Sequence, residues 1–273
     1  MEAQLVRISK CVIVRTPKAS KILIARGGPG VLEANFHVLP NGRDTSVFRP
    51  LDVAQRDSIR SQLGINSTTH LLIYAGSVGP QYCLRETLAI FERFENSYGS
   101  AHLIILTFSC KEAEDIVKGW GGNRECITIL SASADRAPLI IGAADVGLAL
   151  RSSAFSMQAV SPVKIGEYLL CGLPVITSNI DGVSALSQSS VVHVLQDTSV
   201  STLDHSVAWL HSICCRNRGS VQAEARSLGI EHFSLEKSLL ALSAAIHSAQ
   251  AGQVVLMPSD SENELTDKSN SEL

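Results

Sequence analysis

The sequence contains no long hydrophobic run and no excess of basic residues. None of its apolar runs approaches the roughly 20 residues that a membrane span requires, and residues 1–10 lack the apolar core of a signal peptide. The formal net charge of -3 argues against a nucleic-acid-binding surface, which needs a clustered basic field. We therefore expect a cytoplasmic protein that has no transmembrane segment and binds no nucleic acid.

The cysteines and carboxylates have no metal-binding spacing. The seven cysteines include no Cys-x-x-Cys pair and lie mostly within apolar runs, which is typical of reduced core residues in a cytosolic protein. Closely spaced carboxylates occur at 112–115, on the surface of a predicted helix, and at 260–262, near the C-terminus. Solvation explains both groups, so no metal site is predicted.

Three motifs of nucleotide and nucleophile chemistry are also missing. The glycine segment 76–79 lacks the third glycine of a dinucleotide fingerprint, and no acidic residue follows the second strand at 107–109. No glycine precedes Lys-Ser or Lys-Thr at P-loop spacing, and no Gly-x-Ser-x-Gly elbow occurs. The sequence argues against NAD use, P-loop ATP hydrolysis and serine hydrolase chemistry, and it identifies no catalytic residue.

From residue 70 onward, short apolar segments alternate regularly with helical ones. Fully apolar strands separated by helices indicate a parallel sheet that is covered on both faces. We therefore predict a doubly wound, Rossmann-like α/β fold. The predicted strands are 71–75, 102–108, 126–130, 145–150, 174–177 and 191–195, and the predicted helices are 84–97, 111–118, 137–143, 162–171, 200–214, 219–228 and 234–249.

The two ends of the chain differ from this pattern. Residues 5–14 form an apolar, β-branched run that predicts a strand, and no crossover helix is predicted after it. We interpret residues 1–37 as the end of a preceding domain with its linker, and residues 38–250 as the main domain. Residues 251–273 are rich in acidic residues and serine and poor in large apolar side chains, so we predict a disordered acidic tail.

Doubly wound sheets bind ligands beyond the carboxyl ends of their strands. Applied here, this rule selects the loops 76–79, 131–135 and 151–161. The glycine loop could bring backbone amides close to a phosphate. The candidate binding residues in these loops are Gly76, Ser77, Ser131 and Arg151.

The stretch 161–177 (SPVKIGEYLLCGLPVIT) predicts a short helix, a turn and a strand. Ser161 and Pro162 suit the start of the helix, within which Lys164 and Glu167 share one face. A helix N-terminus and a lysine both attract phosphate, so this face is a candidate anion site. The alternative is a solvated Lys-Glu pair on an ordinary surface helix, which spacing alone does not exclude.

Four motifs in this order resemble the C-terminal, nucleotide-sugar-binding half of GT-B glycosyltransferases, in particular the large retaining family four. The resemblance implies that Glu167 hydrogen-bonds the ribose of a nucleotide-diphosphate sugar and that no cofactor or metal is needed. It also implies a partner, either an N-terminal domain or a second chain, that supplies acceptor-binding and catalytic groups. The motifs are PNGRDTSVFRP (40–50), LLIYAGSVG (71–79), AADVGLAL (143–150) and the stretch 161–177.

The chain departs from the family pattern at three places, one of which is a family lysine with no clear equivalent at residues 81–84. Ala159 stands where the family has its other glutamate, and Ser77 stands where an arginine often follows the glycine. Neutralisation of a diphosphate would then depend on Lys164, Arg151 and helix dipoles. Three functions remain open at this point: the donor-binding half of a hexosyltransferase, a non-catalytic binding or scaffolding module, and a nucleotide-sugar epimerase.

Overall fold

The computed structural model describes residues 1–152, 159–161 and 163–254, and of residues 251–254 it describes the backbone alone. The strands are β1 Val12–Val14, β2 Phe36–Val38, β3 His70–Ala75, β4 Ala101–Leu106, β5 Ile127–Leu130, β6 Val146–Ala149, β7 Val175–Ser178 and β8 Val192–Leu195. The helices are α1 Glu2–Ile8, α2 Pro17–Gly27, α3 Val53–Gln62, α4 Leu84–Tyr98, α5 Cys110–Trp120, α6 Ala137–Ala143, α7 Val163–Leu170, α8 Val200–Cys215, α9 Arg218–Phe233 and α10 Leu235–Val254. Within the described ranges, no helix has the length and hydropathy that crossing a membrane requires.

Six strands form one parallel sheet in the order β5-β4-β3-β6-β7-β8. The chain runs outward from β3 to β4 and β5, and then returns to the other side of β3, where Leu72 lies opposite Val146. It continues from there to β7 and β8. The strand order therefore reverses between β3 and β6. The crevice beyond the carboxyl ends of two such strands is where open α/β sheets bind ligands.

The sheet is buried on both faces. Residues Leu71, Leu72, Ile73 and Tyr74 of β3 are all completely buried. Because successive side chains of a strand point to opposite faces, both faces of β3 must be covered. The predicted doubly wound, Rossmann-like α/β fold is confirmed.

The first 40 residues differ from the sequence prediction. The predicted strand 5–14 is wrong, because residues 2–8 form α1 and only Val12–Val14 form a strand. A crossover helix, α2, does follow β1. Thr16 caps this helix by accepting a hydrogen bond from the Ala19 amide at 3.2 Å. The helix leads to β2, which pairs with β1 in parallel. Residues 12–38 thus form a β-α-β unit, whose helix begins with a side-chain cap and a proline.

The sequence also predicts no helix between residues 50 and 70, where the structure contains α3. This helix begins with a capping box in which the Gln55 amide donates to Asp52 Oδ1 at 2.7 Å. At the other end of the chain, α10 continues through residues 251–254, into the segment predicted as a disordered tail. Residues 255–273 lie outside the described residues, and the predicted domain boundaries stay predictions.

Helix α7 is fixed firmly at the centre of the sheet. Tyr168 is fully buried, and its hydroxyl accepts a hydrogen bond from the Ala75 amide at 2.7 Å and donates to the Leu148 carbonyl at 3.4 Å. On another face of the helix, a Cβ at Gly166 would lie 2.8 Å from Phe233, so α9 packs directly against the backbone. The start of α7 is thereby held at the carboxyl ends of β3 and β6.

A charge cluster lies at the opposite, amino-terminal edge of the sheet. Asp145, just before β6, accepts hydrogen bonds from Arg56 at 2.7 Å, Arg60 at 2.6 Å and Arg218 at 2.5 Å, and from the Leu71 amide at 2.9 Å. Burial alone would raise the pKa of Asp145, but the neighbouring arginines lower it overall. The carboxylate therefore joins α3, the central sheet and the start of α9.

Candidate functional site

A cavity of about 690 Å³ lies at the carboxyl ends of β3, β4, β5 and β6. Its position is the point where the strand order reverses, and its volume is typical of small-molecule sites. It is lined by Phe48, Ala75, Gly76, Ser77, Tyr82, Leu106, Thr107, Phe108, Ser109, Ala132, Ala134, Ala137, Ile141, Arg151, Val160, Ser161, Val163, Lys164 and Glu167.

Five of the six predicted binding residues line this cavity, namely Gly76, Ser77, Arg151, Lys164 and Glu167. The sixth, Ser131, is exposed and does not belong to the lining. Its neighbour Ala132 lines the cavity instead, because adjacent side chains at the end of a strand point in different directions. The loop after β5 thus reaches the cavity through Ala132, and the binding role of Ser131 stays a prediction.

Lys164 is enclosed at the back of the cavity. Its side chain is buried, and its Nζ lies 4.1 Å from the centroid of the Tyr74 ring and 5.7 Å from that of Tyr82. No described residue gives this nitrogen a hydrogen-bond partner. Burial first, and then the charge of Arg151, lowers the pKa of Lys164 to about 7, although Glu167 opposes the shift. The solvated-pair interpretation of Lys164 is therefore wrong.

Gly76 is required by this arrangement. Its φ of +130° is one that side chains rarely adopt, and a Cβ at this position would lie 3.0 Å from Lys164 Nζ. Its amide, however, donates to the Leu106 carbonyl at 2.8 Å. The predicted approach of phosphate to the glycine loop therefore cannot use the Gly76 amide, while the close approach of Lys164 depends on the missing side chain.

Arg151 and Tyr82 form a second cationic wall. The guanidinium carbon of Arg151 lies 4.2 Å from the centroid of the Tyr82 ring, and Nε has no partner among the described residues. A hydrogen bond from Arg151 is the main cause of a lowered Tyr82 pKa. The Arg151 amide donates to Ser178 Oγ at 2.9 Å, which fixes the start of the loop. Tyr82 is not among the predicted binding residues, and its being an aromatic residue in the loop after β3 was the available signal.

Glu167 contacts an arginine, Arg43, that is likewise absent from the predicted binding residues. Arg43 Nε donates to Glu167 Oε1 at 2.9 Å, and both side chains are partly buried, with 36% and 20% of their surface exposed. The described residues contribute no donor to the second oxygen, Oε2. Glu167 is thus paired with Arg43 rather than with Lys164, and one oxygen of its carboxylate is left to accept from a ligand.

The side of the cavity at the carboxyl ends of β4 and β5 is apolar. Leu106, Ala132 and Ala134 line it, together with Phe108, whose side chain is 88% exposed. The cations belong to the neighbouring segments around β3 and β6, so the sheet order itself separates an apolar wall from a cationic one. An elongated ligand with a flat apolar group and an anionic group matches this division. Among the described residues, no group of three or more His, Cys, Asp or Glu side chains could hold a metal ion.

Comparisons by sequence identify no relative of this chain. No family model matches it, and no curated protein matches it either.

Comparisons by structure, in contrast, find GT-B glycosyltransferases. The chain is similar to HepE from Anabaena, solved in complex with UDP-glucose, with a TM-score of 0.68 and 16% identity over 92% of this chain and 65% of HepE. It is similar to a glycosyltransferase from Rickettsia africae, with a TM-score of 0.71 and 14% identity over 90% of this chain and 66% of that one. WaaG, a glycosyltransferase involved in lipopolysaccharide biosynthesis, gives a TM-score of 0.66 and 18% identity over 85% of this chain and 61% of WaaG.

These identities are low, so the comparisons establish the fold. The chain has a Rossmann-like α/β fold that resembles one half of GT-B glycosyltransferases. It spans 65% of the length of HepE.

Proposed function

We propose that this chain binds the nucleotide-diphosphate sugar donor of a glycosyltransferase in the cavity between β3 and β6. The main support is the charge balance of the cavity. Lys164 and Arg151 form no ion pair with any described residue, and the one carboxylate among the described lining residues, that of Glu167, is held by Arg43. Buried cations need a counter-charge, and a diphosphate supplies it.

The remaining walls suit the other parts of such a donor. The free oxygen of Glu167 can accept from ribose hydroxyls, which is the role that the family resemblance implies. The exposed ring of Phe108 and the apolar wall beside it suit a nucleobase, since aromatic side chains stack on bases. HepE, which shares the fold, was solved with UDP-glucose, and this supports a uridine nucleotide as the first ligand to test.

The finer assignment extends the resemblance to family four. The donor sugar is a hexose, its transfer retains the anomeric configuration, and no metal ion takes part. An additional domain or a second chain supplies the acceptor site, and no catalytic residue is assigned within this chain. A non-catalytic binding module is the second candidate, and the specific observation that favours it is Ala159 at the position of a family glutamate.

Isothermal titration with uridine, UMP, UDP, GDP and UDP-glucose tests the proposed site. Lys164→Met should weaken UDP by about tenfold or more, the equivalent of one hydrogen bond to a charged group, and should leave uridine almost unaffected. Glu167→Gln should weaken all the ribonucleotides by a similar factor. Lys118→Met is the matched control, because Lys118 is 62% exposed and lies on α5. Absence of binding to any nucleoside diphosphate at millimolar concentration would remove the proposal.

Turnover separates an enzyme from a binding module. Incubation with UDP-glucose and EDTA, followed by NMR of the released sugar, reports on hydrolysis, on the anomeric configuration and on any epimerised nucleotide sugar. Hydrolysis or transfer in EDTA with retention would support the finer assignment. The binding module would be favoured by tight binding without turnover. This outcome must also hold when the rest of the enzyme is supplied as a second chain or domain.

A further inference from the structure

The ion pair between Arg43 and Glu167 joins two distant parts of the sequence at the edge of the cavity. Arg43 belongs to the turn between β2 and α3, and Glu167 lies in α7, yet Arg43 Nε is 2.9 Å from Glu167 Oε1. Glu167 lines the cavity, whereas Arg43 is not among the described residues that do so. Arg43 therefore reaches the carboxylate from outside the cavity lining.

The backbone of Arg43 is held on both sides by the junction between α9 and α10. Its amide donates to the Phe233 carbonyl at 2.8 Å, and its carbonyl accepts from the Leu235 amide at 2.9 Å. These two hydrogen bonds place Arg43 in a parallel bridge with Ser234. Such a fixed backbone restricts where the guanidinium can lie, which lowers the entropy lost in forming the ion pair.

The residues before Arg43 are fixed as well. Asn41 Nδ2 donates to the Ser161 carbonyl at 2.6 Å, and Ser238 Oγ donates to the Pro40 carbonyl at 2.8 Å. A Cβ at Gly42 would lie 2.9 Å from the Leu235 Cα, so only glycine allows this approach. The turn thus connects α10 to the segment that begins α7, and Arg43 is aimed at Glu167 by this connection.

Without Arg43, the nearest cation in the cavity for Glu167 is Lys164, one helical turn earlier. The charge of Glu167 already acts on Lys164, because it opposes the lowering of the Lys164 pKa. A carboxylate released from Arg43 could turn toward Lys164, since residues three apart in a helix are neighbours. That pair would neutralise the cation needed for phosphate and occupy the oxygen needed for ribose.

We infer that Arg43 is a positioning residue for ribose recognition, which holds Glu167 by one oxygen and presents the other to the ribose hydroxyls. This inference rests on the proposed function. It adds that the selectivity of the site for ribose over deoxyribose depends on a residue that does not touch the nucleotide. A merely structural role of Arg43 would change the affinity for both sugars alike.

The test compares UDP with 2′-deoxy-UDP by isothermal titration. The wild-type protein should prefer UDP by about tenfold or more, the equivalent of one hydrogen bond to a charged group. In Arg43→Met this preference should fall to about threefold or less, and in Arg43→Lys it should be intermediate, because lysine keeps the charge but not the planar donor group. Thermal melting checks that each variant is folded. If Arg43→Met does not fold, the preference for UDP over 2′-deoxy-UDP is compared between wild type and Arg43→Lys.

Arg216→Met is the matched control. Arg216 forms a 2.7 Å ion pair with Glu224 of similar exposure, 37% for each side chain, at the opposite edge of the sheet. Its removal should leave the preference for ribose unchanged. The inference would be overturned by an Arg43→Met protein that keeps the wild-type preference, or by a wild-type protein that binds both nucleotides equally. A wild-type protein that binds neither would overturn the proposed function itself.

Discussion

The hydroxyl of Tyr168 accepts the amide hydrogen of Ala75 at 2.7 Å and so joins α7 to the last residue of β3. Helix α7 contributes Lys164 and Glu167, and β3 leads directly into Gly76 and Ser77. The two halves of the cavity wall are therefore held at a fixed separation by one buried hydrogen bond.

Tyr168→Phe should destabilise the protein, because the buried Ala75 amide then has no acceptor. An unsatisfied buried donor costs about 1–3 kcal/mol of unfolding free energy. Tyr98→Phe is the matched control, since its side chain is 42% exposed, and a change below about 0.5 kcal/mol is expected there. Urea unfolding measures both values, and equal stability of the two variants would contradict the prediction.

Nucleotide-sugar binding should depend on pH through Lys164. Burial, followed by the charge of Arg151, lowers the pKa of Lys164 to about 7 in the free protein. A bound diphosphate favours the charged form, so binding above this pH takes up a proton. Affinity for UDP-glucose should fall from pH 7 to pH 9, by at most about tenfold per pH unit. Lys164→Met should lose this dependence.

Titration in two buffers of different ionisation enthalpy counts the protons taken up. Because Arg151 also lowers the Tyr82 pKa, Tyr82→Phe is measured in parallel to exclude a contribution from this phenol. A wild-type protein that takes up no proton at pH 8 would contradict the role given to Lys164.

Stability should show the opposite trend with pH. The folded-state pKa of Lys164 is about 7, against 10.5 for an ordinary lysine, so between these values the unfolded chain binds more protons than the folded protein. The free energy of unfolding contributed by this group therefore rises with pH across this window. Urea unfolding of wild type and Lys164→Met from pH 7 to pH 9 measures this contribution, because the variant lacks the titrating amine. The same change in unfolding free energy with pH in both proteins would contradict the expectation.

Gly76→Ala should affect both folding and binding. The new Cβ would lie 3.0 Å from Lys164 Nζ at a φ of +130°, so Lys164 must move and the backbone is strained. Gly64→Ala is the control, since Gly64 also has a positive φ of +71° but no neighbour within 4 Å. Both variants should lose stability, but only Gly76→Ala should weaken UDP, by about threefold or more. Equal UDP affinity of the two variants would be inconsistent with the geometry.

Phe108→Ala should reduce nucleotide affinity without reducing stability. The ring is 88% exposed, so its removal costs little packing, whereas stacking on a base contributes about 1–3 kcal/mol. UDP should bind about fivefold or more weakly, while pyrophosphate, which has no base, should bind as it does to wild type. Isothermal titration with both ligands measures the two affinities. An unchanged UDP affinity would show that the base does not stack on Phe108.

The sequence predicts the sheet well because a parallel sheet buries both faces, and strands such as 71–75 are then apolar throughout. It locates the cavity because ligand sites follow from strand order, so five predicted residues line one cavity. It predicts a strand at 5–14, where residues 5–8 instead belong to α1, and it misses α2, for which the Thr16-Pro17 helix start was the overlooked signal. It gives no sign that Arg43 contacts Glu167, because the two are 124 positions apart and meet through the path of the chain.

The charge cluster around Asp145 also discriminates between strand orders. An alternative sheet could place β6 beside β5, its predecessor in sequence, instead of beside β3. With β6 next to β3, Asp145 accepts from the Leu71 amide and pairs with the guanidinium groups of Arg56, Arg60 and Arg218. In the alternative order, Asp145 would lose these contacts. Buried cations without a carboxylate are strongly disfavoured, so the wrong order is penalised at one edge of the sheet. Because the cavity lies where β3 and β6 are neighbours, the charges that favour this strand order also favour formation of the candidate site at the other edge.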